Sequence, residues 1–264
     1  MIFINDNELK IKNFPNGESL INDEGYKIKK EGNTIRLKFE GDEDITHLIF
    51  LKGYLDEMNA KADLIIPYMP YSRMDRKEGV TFFTLKYLCK LINDLNFESV
   101  TIYEPHSDVC IALLDRVKVV NMSAELAKQL MEDLKLENLY LVFPDAGAEK
   151  RYSKQIKYSK ILTCSKERDF KTGEIKKLEI NGEVKEWNFN AIIVDDLCSK
   201  GGTFLLAAEK LKTMGAENIY LVVTHCENTI FDGEILKTDL IKKIYTTDSI
   251  LNKEHKKIKV KKIV

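Results

Sequence analysis

Residues 192–204 have the sequence IIVDDLCSKGGTF, and this stretch decides the fold class. The apolar run before Asp195 predicts a buried strand, and the periodic apolar residues after Thr203 predict a helix. The polar loop between them therefore follows the carboxyl end of a strand, where open α/β sheets bind their ligands. The sequence predicts an α/β protein with a ligand site at residues 195–203.

The residue types in this loop indicate a phosphorylated sugar as the ligand. Gly201 and Gly202 lack Cβ atoms, so their backbone N–H groups can approach an anion closely, and the start of the helix adds unpaired donors. Thr203 supplies a hydroxyl donor. Asp195 and Asp196 repel phosphate, and their usual partners are sugar hydroxyls or hydrated Mg²⁺. A phosphate beside two carboxylates describes a ribose 5-phosphate unit; the plainer alternative is a strand–turn–helix whose acids cap the helix.

Two kinds of apolar segment alternate along the chain. Period-two or continuous apolar runs predict strands, and runs with the helical period predict helices. The predicted strands are 34–39, 64–66, 100–103, 139–143, 160–163, 191–194 and 221–223, and the predicted helices are 48–58, 85–95 and 124–134. The alternation predicts mainly parallel sheets flanked by helices, in two similar halves. We place these halves at residues 1–120 and 121–240, followed by a C-terminal segment, 241–264, that could return to the first half.

The composition excludes several classes of protein. The chain has 41 basic and 42 acidic residues, which argues against a protein that binds nucleic acid through bulk charge. No apolar run is long enough to span a bilayer, and the first residues lack the features of a secretory signal, so we expect no membrane partner. The five cysteines are scattered, without a C-x-x-C pair, and predict neither a disulfide framework nor a zinc site. We expect a cytoplasmic protein, or one of the host cytoplasm if a phage encodes it.

Five further motifs carry a family resemblance. In chain order they are Phe14-Pro15-Asn16-Gly17-Glu18, Pro67-Tyr68-Met69-Pro70-Tyr71-Ser72-Arg73-Met74-Asp75-Arg76-Lys77, Glu104-Pro105-His106, Phe143-Pro144-Asp145-Ala146-Gly147 and Ser165-Lys166-Glu167-Arg168. Together with the 195–203 loop, this ordered set resembles the ribose-phosphate diphosphokinases, also called phosphoribosyl diphosphate synthetases. Simple phosphoribosyltransferases lack the 67–77 stretch. The resemblance implies two domains of the type I phosphoribosyltransferase fold, with the nucleotide side in the first and the ribose-phosphate side in the second.

The resemblance also implies a reaction and a role for each motif. The reaction is Mg²⁺-dependent transfer of the β,γ-diphosphoryl group of ATP to the anomeric hydroxyl of ribose 5-phosphate. The implied residues are, for catalysis, Lys166 and Arg168; for ATP, Phe14, Asn16, Glu18, Arg73, Asp75, Arg76, Lys77 and His106; for ribose phosphate, Asp195, Asp196, Ser199, Lys200, Gly201, Gly202 and Thr203; and for Mg²⁺, His106 and Asp145. In the family the Phe14 loop serves the site of a neighbouring subunit, so a homo-oligomer, dimer or hexamer, is expected.

Each of these motifs also has a plainer interpretation. Lys166 and Arg168 could form an exposed basic patch, and His106 could be a hydrogen-bonded structural residue at the end of a strand. The basic residues of the 67–77 stretch could lie on a solvated turn and pair with the adjacent Asp75 and Glu78.

The chain departs from the family pattern at the sugar-phosphate loop. The family has Asp-Thr-Gly-Gly-Thr where this chain has Ser199-Lys200-Gly201-Gly202-Thr203. A long, flexible lysine suits a more extended anion than a phosphomonoester. Three functions therefore compete: transfer to ribose 5-phosphate, the same transfer to a derivative such as ADP-ribose in NAD-related metabolism, and an inactive homologue that regulates a partner. Retention of Lys166, Arg168 and the carboxylates speaks against the third.

Overall fold

The computed structural model describes residues 1–23, 25–168 and 175–263, except for the side chains of residues 167, 168, 175 and 176. The chain divides into two compact units, Met1–Val120 and Asn121–Ile263. Both combine helices with a sheet whose strands are mainly parallel. None of the described helices is long and apolar enough to cross a membrane.

The first unit is a mixed sheet with helices between its parallel strands. Its elements are β1 (Ile2–Ile4), β2 (Asn7–Glu8), β3 (Ile11–Asn13), β4 (Ser19–Ile21), β5 (Asn33–Leu37), α1 (Glu43–Glu57), β6 (Ala62–Ile66), α2 (Thr84–Asp94), β7 (Val100–Tyr103), α3 (Asp108–Leu113) and β8 (Val117–Val120). The described strand order is β2-β1-β5-β6-β7-β8, in which β5 to β8 are parallel and β1 pairs antiparallel with both neighbours. β3 and β4 form a separate antiparallel hairpin.

Apolar spacing explains why these segments form helices that cover the sheet. In α2, Leu85, Leu88, Cys89 and Ile92 recur at the helical period, and all four are buried. They belong to the same core cluster as alternate residues of β5 and β6. Because side chains alternate across a strand, the buried positions of β5 and β6 line one face of this sheet.

The second unit contains a longer and more deeply buried sheet. Its elements are α4 (Ser123–Leu134), β9 (Leu139–Phe143), α5 (Ala146–Ile156), β10 (Ile161–Arg168), β11 (Ile175–Asn181), β12 (Phe189–Cys198), α6 (Gly202–Thr213), β13 (Ala216–Cys226), a 3₁₀ turn (Asn228–Asp232), β14 (Lys243–Thr247) and β15 (Ile258–Lys261). The described strand order is β11-β10-β9-β12-β13-β14-β15. β10 pairs antiparallel with β11, and the other pairs are parallel.

Helices on both faces explain the continuous apolar runs of this sheet. In β12, Ala191 and Ile193 belong to the core cluster that contains the buried face of α6. Ile192 and Val194 belong to the cluster that contains the buried residues of α4 and α5. A strand that is covered on both faces cannot alternate with polar residues, so it is apolar throughout.

The α/β fold class with mainly parallel sheets is confirmed, and the described part of the C-terminal segment belongs to the second unit. We allowed residues 241–264 to return to the first half. Instead β14 pairs in parallel with β13, and β15 pairs with β14, so the described part of this segment completes the second unit. Ile244 and Ile258 join the core cluster around α6, and this burial holds the segment in the second sheet.

Candidate functional site

The strand order of the second unit creates a crevice beside β9 and β12. Along the chain, β9 is followed by β10 on one side, whereas β12 is followed by β13 on the other side. The connections after β9 and β12 therefore lead away from each other, and the gap between them is where open α/β sheets bind ligands. Asp145 directly precedes α5 after β9, and Ser199 directly follows β12. The predicted diphosphate and sugar-phosphate motifs of this unit thus meet at one edge of the sheet.

The acidic pair lies inside β12, not after it as the sequence predicted. Hydrogen bonding to β13 continues past both acids, with Asp195 opposite Val223 and the strand ending at Cys198. Asp195 is mostly buried, and its Oδ1 accepts the backbone N–H of Asp196 at 2.9 Å. Burial, and next the charge of Asp196, raise the pKa of Asp195 well above its usual value. A bound cation or hydroxyl donors would therefore stabilise the ionised form of this pair.

Asp145 and Lys166 form an ion pair at the same edge. Asp145 caps α5, where its Oδ1 accepts the Ala148 N–H at 3.0 Å. The other carboxylate oxygen lies 3.4 Å from Nζ of Lys166, which projects from the adjacent strand β10. The Lys166 side chain is 12% exposed, so it is held in the site and is not part of an exposed basic patch. Arg168 ends β10, and its side chain lies outside the described part of the chain.

The sugar-phosphate loop, residues 199–203, contains a left-handed turn at Gly201 just before α6. Gly201 has a φ of +82° and precedes α6, which begins at Gly202. A Cβ on Gly202 would meet no protein atom within 4 Å, so there is room for a ligand to approach the first turn of the helix. Lys200 is exposed, and Thr203 is partly buried in that first turn. Gly202 and Lys200 are therefore accessible to a ligand.

Several residues of this site were missed in the sequence. Arg151, on α5, places its guanidinium Nη1 3.8 Å from Oδ2 of Asp196. Ser123 donates its hydroxyl to the backbone oxygen of Asp195, which ties the start of α4 to β12. Glu227 follows β13 and accepts a hydrogen bond from the Ser199 hydroxyl. Its position directly after a buried strand was the available signal for Glu227, whereas the other two depend on contacts that no local pattern reveals.

In the first unit, the predicted nucleotide stretch follows β6 and folds as a turn with internal ion pairs. Tyr71 has a φ of +59°, and its hydroxyl hydrogen-bonds to Asp42. Asp75 is buried, and its Oδ1 lies 3.2 Å from Nε of Arg76, which also lies 3.3 Å from the carboxylate of Glu78. The Arg76 side chain is 72% exposed, and Arg73 and Lys77 are exposed too. These cations are accessible to a polyphosphate, but Arg76 would have to exchange its carboxylate partners for phosphate.

The other two predicted nucleotide motifs lie at different places in the first unit. His106 follows β7, the neighbour of β6, so it lies at the same edge of the sheet as the 67–77 turn. Phe14, Asn16 and Glu18 lie at the tip of the β3–β4 hairpin, where the Asn16 amide donates to the Glu18 carboxylate at 2.6 Å. Phe14 is half exposed. The hairpin thus presents an aromatic ring and polar groups to solvent.

The carboxylates of the second unit can be compared with the ligands that a hydrated cation uses. Among the described residues, no group of three or more His, Cys, Asp or Glu side chains is placed to hold a metal ion. Mg²⁺ commonly keeps several waters and binds one or two carboxylates together with substrate phosphates. Asp145, with an exposed carboxylate, and the Asp195–Asp196 pair fit that mode.

Comparisons with known proteins show the family and the fold of this chain. Residues 153–264 match the phosphoribosyl synthetase-associated domain. The chain is 30% identical to the ribose-phosphate pyrophosphokinase of Sulfurisphaera tokodaii, over 90% of this chain and 83% of that protein. It is also 30% identical to that of Thermococcus kodakarensis, over 83% of this chain and 77% of that protein. The crystal structure of phosphoribosylpyrophosphate synthetase from Mycobacterium smegmatis superposes with a TM-score of 0.79 at 18% identity. The match covers 97% of this chain and 86% of that chain, and it shows the same fold.

Proposed function

The chain belongs to the ribose-phosphate pyrophosphokinase family, and from this premise we propose that it transfers the β,γ-diphosphoryl group of ATP to the anomeric hydroxyl of ribose 5-phosphate. The anomeric oxygen attacks the β-phosphorus and loses its proton to water, while the bond from the β-phosphorus to the α-phosphate bridging oxygen breaks. The products are phosphoribosyl diphosphate and AMP. The observation that carries the proposal is the meeting of Asp145, Lys166 and the acidic pair at one crevice.

Each group of residues serves one requirement of this transfer. The sugar-phosphate loop and the first turn of α6 bind the 5-phosphate, and Asp195 and Asp196 accept hydrogen bonds from ribose hydroxyls. Lys166, joined by Arg168, neutralises charge on the β- and γ-phosphates as the diphosphoryl group leaves AMP. In the first unit, Arg73, Arg76 and Lys77 hold the triphosphate, and the Phe14 hairpin stacks on adenine.

Magnesium would bind through Asp145 and the phosphates in the second unit, and His106 stays the metal position that the family resemblance implies in the first unit. When bound, the ion neutralises phosphate charge and fixes the orientation of the transferred group. The contribution of this chain is to hold Asp145 in place through its cap on α5 and its contact with Lys166.

The direct test is incubation of the protein with ATP, Mg²⁺ and ribose 5-phosphate, with AMP release and the mass of the sugar product as readouts. We expect AMP and a product that is heavier than ribose 5-phosphate by a diphosphoryl group. Release of ADP or inorganic phosphate, without a diphosphorylated sugar, would contradict the proposal. Lys177→Ala is a suitable control for lysine substitutions in this assay, because Lys177 is an exposed lysine on β11 that pairs with Glu179. It should release AMP at the wild-type rate.

A second acceptor, ADP-ribose or a similar 5-substituted ribose phosphate, is favoured by the exposed Lys200 in the sugar-phosphate loop. Its ammonium could pair with the second phosphate of such an ester, and a charge-assisted hydrogen bond contributes about 1.5–3 kcal/mol. Lys200→Thr should then lower kcat/KM for ADP-ribose by roughly 10- to 150-fold and change that for ribose 5-phosphate much less. Equal effects on both acceptors would assign Lys200 no role in choosing between them.

A further inference from the structure

Glu227 lies beside the sugar-phosphate loop because β12 and β13 end together. Cys198 and Cys226, the last residues of the two strands, are direct partners in the parallel pairing. The backbone N–H of Glu227 continues this pairing by donating to the Cys198 carbonyl at 2.8 Å. The residue that follows β13 is thus fixed next to the residue that follows β12, Ser199.

The Glu227 carboxylate accepts two hydroxyl donors. Its Oε2 accepts the Ser199 hydroxyl at 2.5 Å and the Thr229 hydroxyl at 2.9 Å. A serine hydroxyl has a single proton, so in this arrangement Ser199 cannot also donate to a substrate phosphate. The sequence placed Ser199 among the residues that bind the sugar phosphate, whereas the structure joins it to a neighbouring carboxylate.

The same segment holds the rest of the loop by close packing. A Cβ on Gly233 would lie 2.1 Å from the Lys200 carbonyl oxygen, so only a glycine lets the two backbones approach this closely. A Cβ on Gly201 would lie 2.7 Å from the Ile235 side chain. Glu227, Gly233 and Ile235 therefore form the surface against which the Ser199–Gly201 backbone packs.

We propose that Glu227 is a positioning residue for the sugar substrate: its carboxylate holds Ser199 and thereby orients the backbone donors of Lys200, Gly201 and Gly202. The proposal rests on the proposed function, because it assigns the sugar phosphate to this loop. In the family pattern residue 199 is an aspartate, whereas here the carboxylate comes from residue 227 and the hydroxyl from residue 199. The loop accommodates one carboxylate at this point, since two in direct contact repel each other.

Four variants test this arrangement by removing, neutralising, adding or relocating the carboxylate. Glu227→Ala removes the acceptor and should raise KM for the sugar about 10- to 100-fold with little change in kcat or in KM for ATP. Glu227→Gln keeps an acceptor oxygen, so its rise in KM should be at least about fivefold smaller. Ser199→Asp places a second carboxylate against Glu227 and should impair sugar binding at least as much as Glu227→Ala. Ser199→Asp/Glu227→Gln pairs an amide donor with the new carboxylate and should recover at least about tenfold of that loss.

Glu234→Ala is the matched control, because Glu234 is an exposed glutamate in the same segment that pairs with Lys237. It should leave KM for the sugar within about twofold of wild type. Failure of the double variant to improve on Ser199→Asp would overturn the proposal, as would an unchanged KM in Glu227→Ala. The rescue comparison remains decisive if Glu227→Ala does not fold.

A binding measurement separates this proposal from the proposed function. Titration calorimetry of ribose 5-phosphate, without ATP, should show the same order of affinities among the variants as KM does. If wild type binds the sugar but releases no AMP from ATP, the transfer reaction is wrong, and Glu227 is still judged by the dissociation constants. Equal dissociation constants for wild type, Ser199→Asp and the double variant would overturn the role of Glu227 while leaving the transfer reaction intact.

Discussion

At the scale of single residues, we propose that the charge of Lys166 acts on the transferred diphosphoryl group. Its stem is largely buried, and Asp145 fixes its ammonium at the crevice, so little reorganisation is needed when phosphate charge develops. Lys166→Ala should lower kcat by about 10²–10³ while changing the dissociation constant of ATP much less. Single-turnover kinetics with equilibrium nucleotide binding measures both quantities. An unchanged kcat would remove Lys166 from the mechanism.

Asp195 should make the stability of the ligand-free protein depend on pH. Because its pKa is raised in the folded state, the folded chain keeps this proton to a higher pH than the unfolded chain does. The contribution of Asp195 to the free energy of unfolding is therefore lost as pH rises above about 4, through the raised pKa. Asp195→Asn cannot ionise, so it should be more stable than wild type at pH 8 by about 0.5–2 kcal/mol, and the difference should shrink toward pH 4.

Denaturant unfolding at several pH values without ligands measures this difference. Asp239→Asn is the matched control, because the hydrogen bond and charge of Lys257 lower the pKa of Asp239. Its carboxylate favours the folded state above about pH 4, so the pH trend of this variant should have the opposite sign. A difference for Asp195→Asn that does not vary with pH would show that burial does not hold its proton.

At the scale of elements, different parts of the second sheet provide stability and carry the proposed site residues. Its central strands are covered on both faces by helices, whereas the groups at its carboxyl edge are held by caps and short contacts such as Asp145 on α5. The segment after β13 contributes both to the core and to the proposed site. It packs Ile230 and Ile235 into the core, and it contacts the sugar-phosphate loop.

Two glycine-to-alanine changes should affect the free energy of unfolding differently, because one glycine lies against the sugar-phosphate loop and the other lies on an open helix face. In Gly233→Ala the new methyl group meets the Lys200 carbonyl, so we expect a loss of about 1–3 kcal/mol in the free energy of unfolding and a higher KM for the sugar. Gly53 lies inside α1, where a Cβ meets no atom within 4 Å. Gly53→Ala should therefore be neutral or add up to about 1 kcal/mol of stability. Denaturant unfolding compares the two, and a stable Gly233→Ala would show that the segment can move away from the loop.

At the scale of the whole molecule, the predicted site residues are divided between two units. Those assigned to ATP lie mainly in Met1–Val120, and those assigned to the sugar lie in Asn121–Ile263. The Phe14 hairpin presents its ring to solvent, and the family resemblance assigns this loop to the site of a neighbouring subunit. A homo-oligomer with shared sites therefore stays a prediction.

Subunit mixing tests for shared sites. Phe14→Ala and Lys166→Ala should each be weakly active alone. If each site takes Phe14 from one chain and Lys166 from another, random mixing should restore up to about a quarter of wild-type activity, because half of the chains carry each intact group. Steady-state rates after subunit exchange measure the recovery. No recovery, in a mixture shown by light scattering to be oligomeric, would place both residues in the same chain's site.

Sequence by itself determined the elements and motifs that depend on neighbours along the chain. The apolar runs of β9 and β12 and the stripe of α2 followed from local periodicity, and the order of the motifs indicated the family. α5 was not predicted, because its buried residues Ala148, Tyr152 and Ile156 form a narrow stripe in an otherwise polar segment.

Tertiary structure alone decided which groups meet. The contact of Ser199 with Glu227, the raised pKa of Asp195, and the place of β14 and β15 in the second sheet all join residues that are remote in sequence or depend on burial. Local spacing cannot determine them, because hydrogen bonds and Coulomb interactions depend on distance in space, and those distances are set by the packing of the whole sheet and its helices.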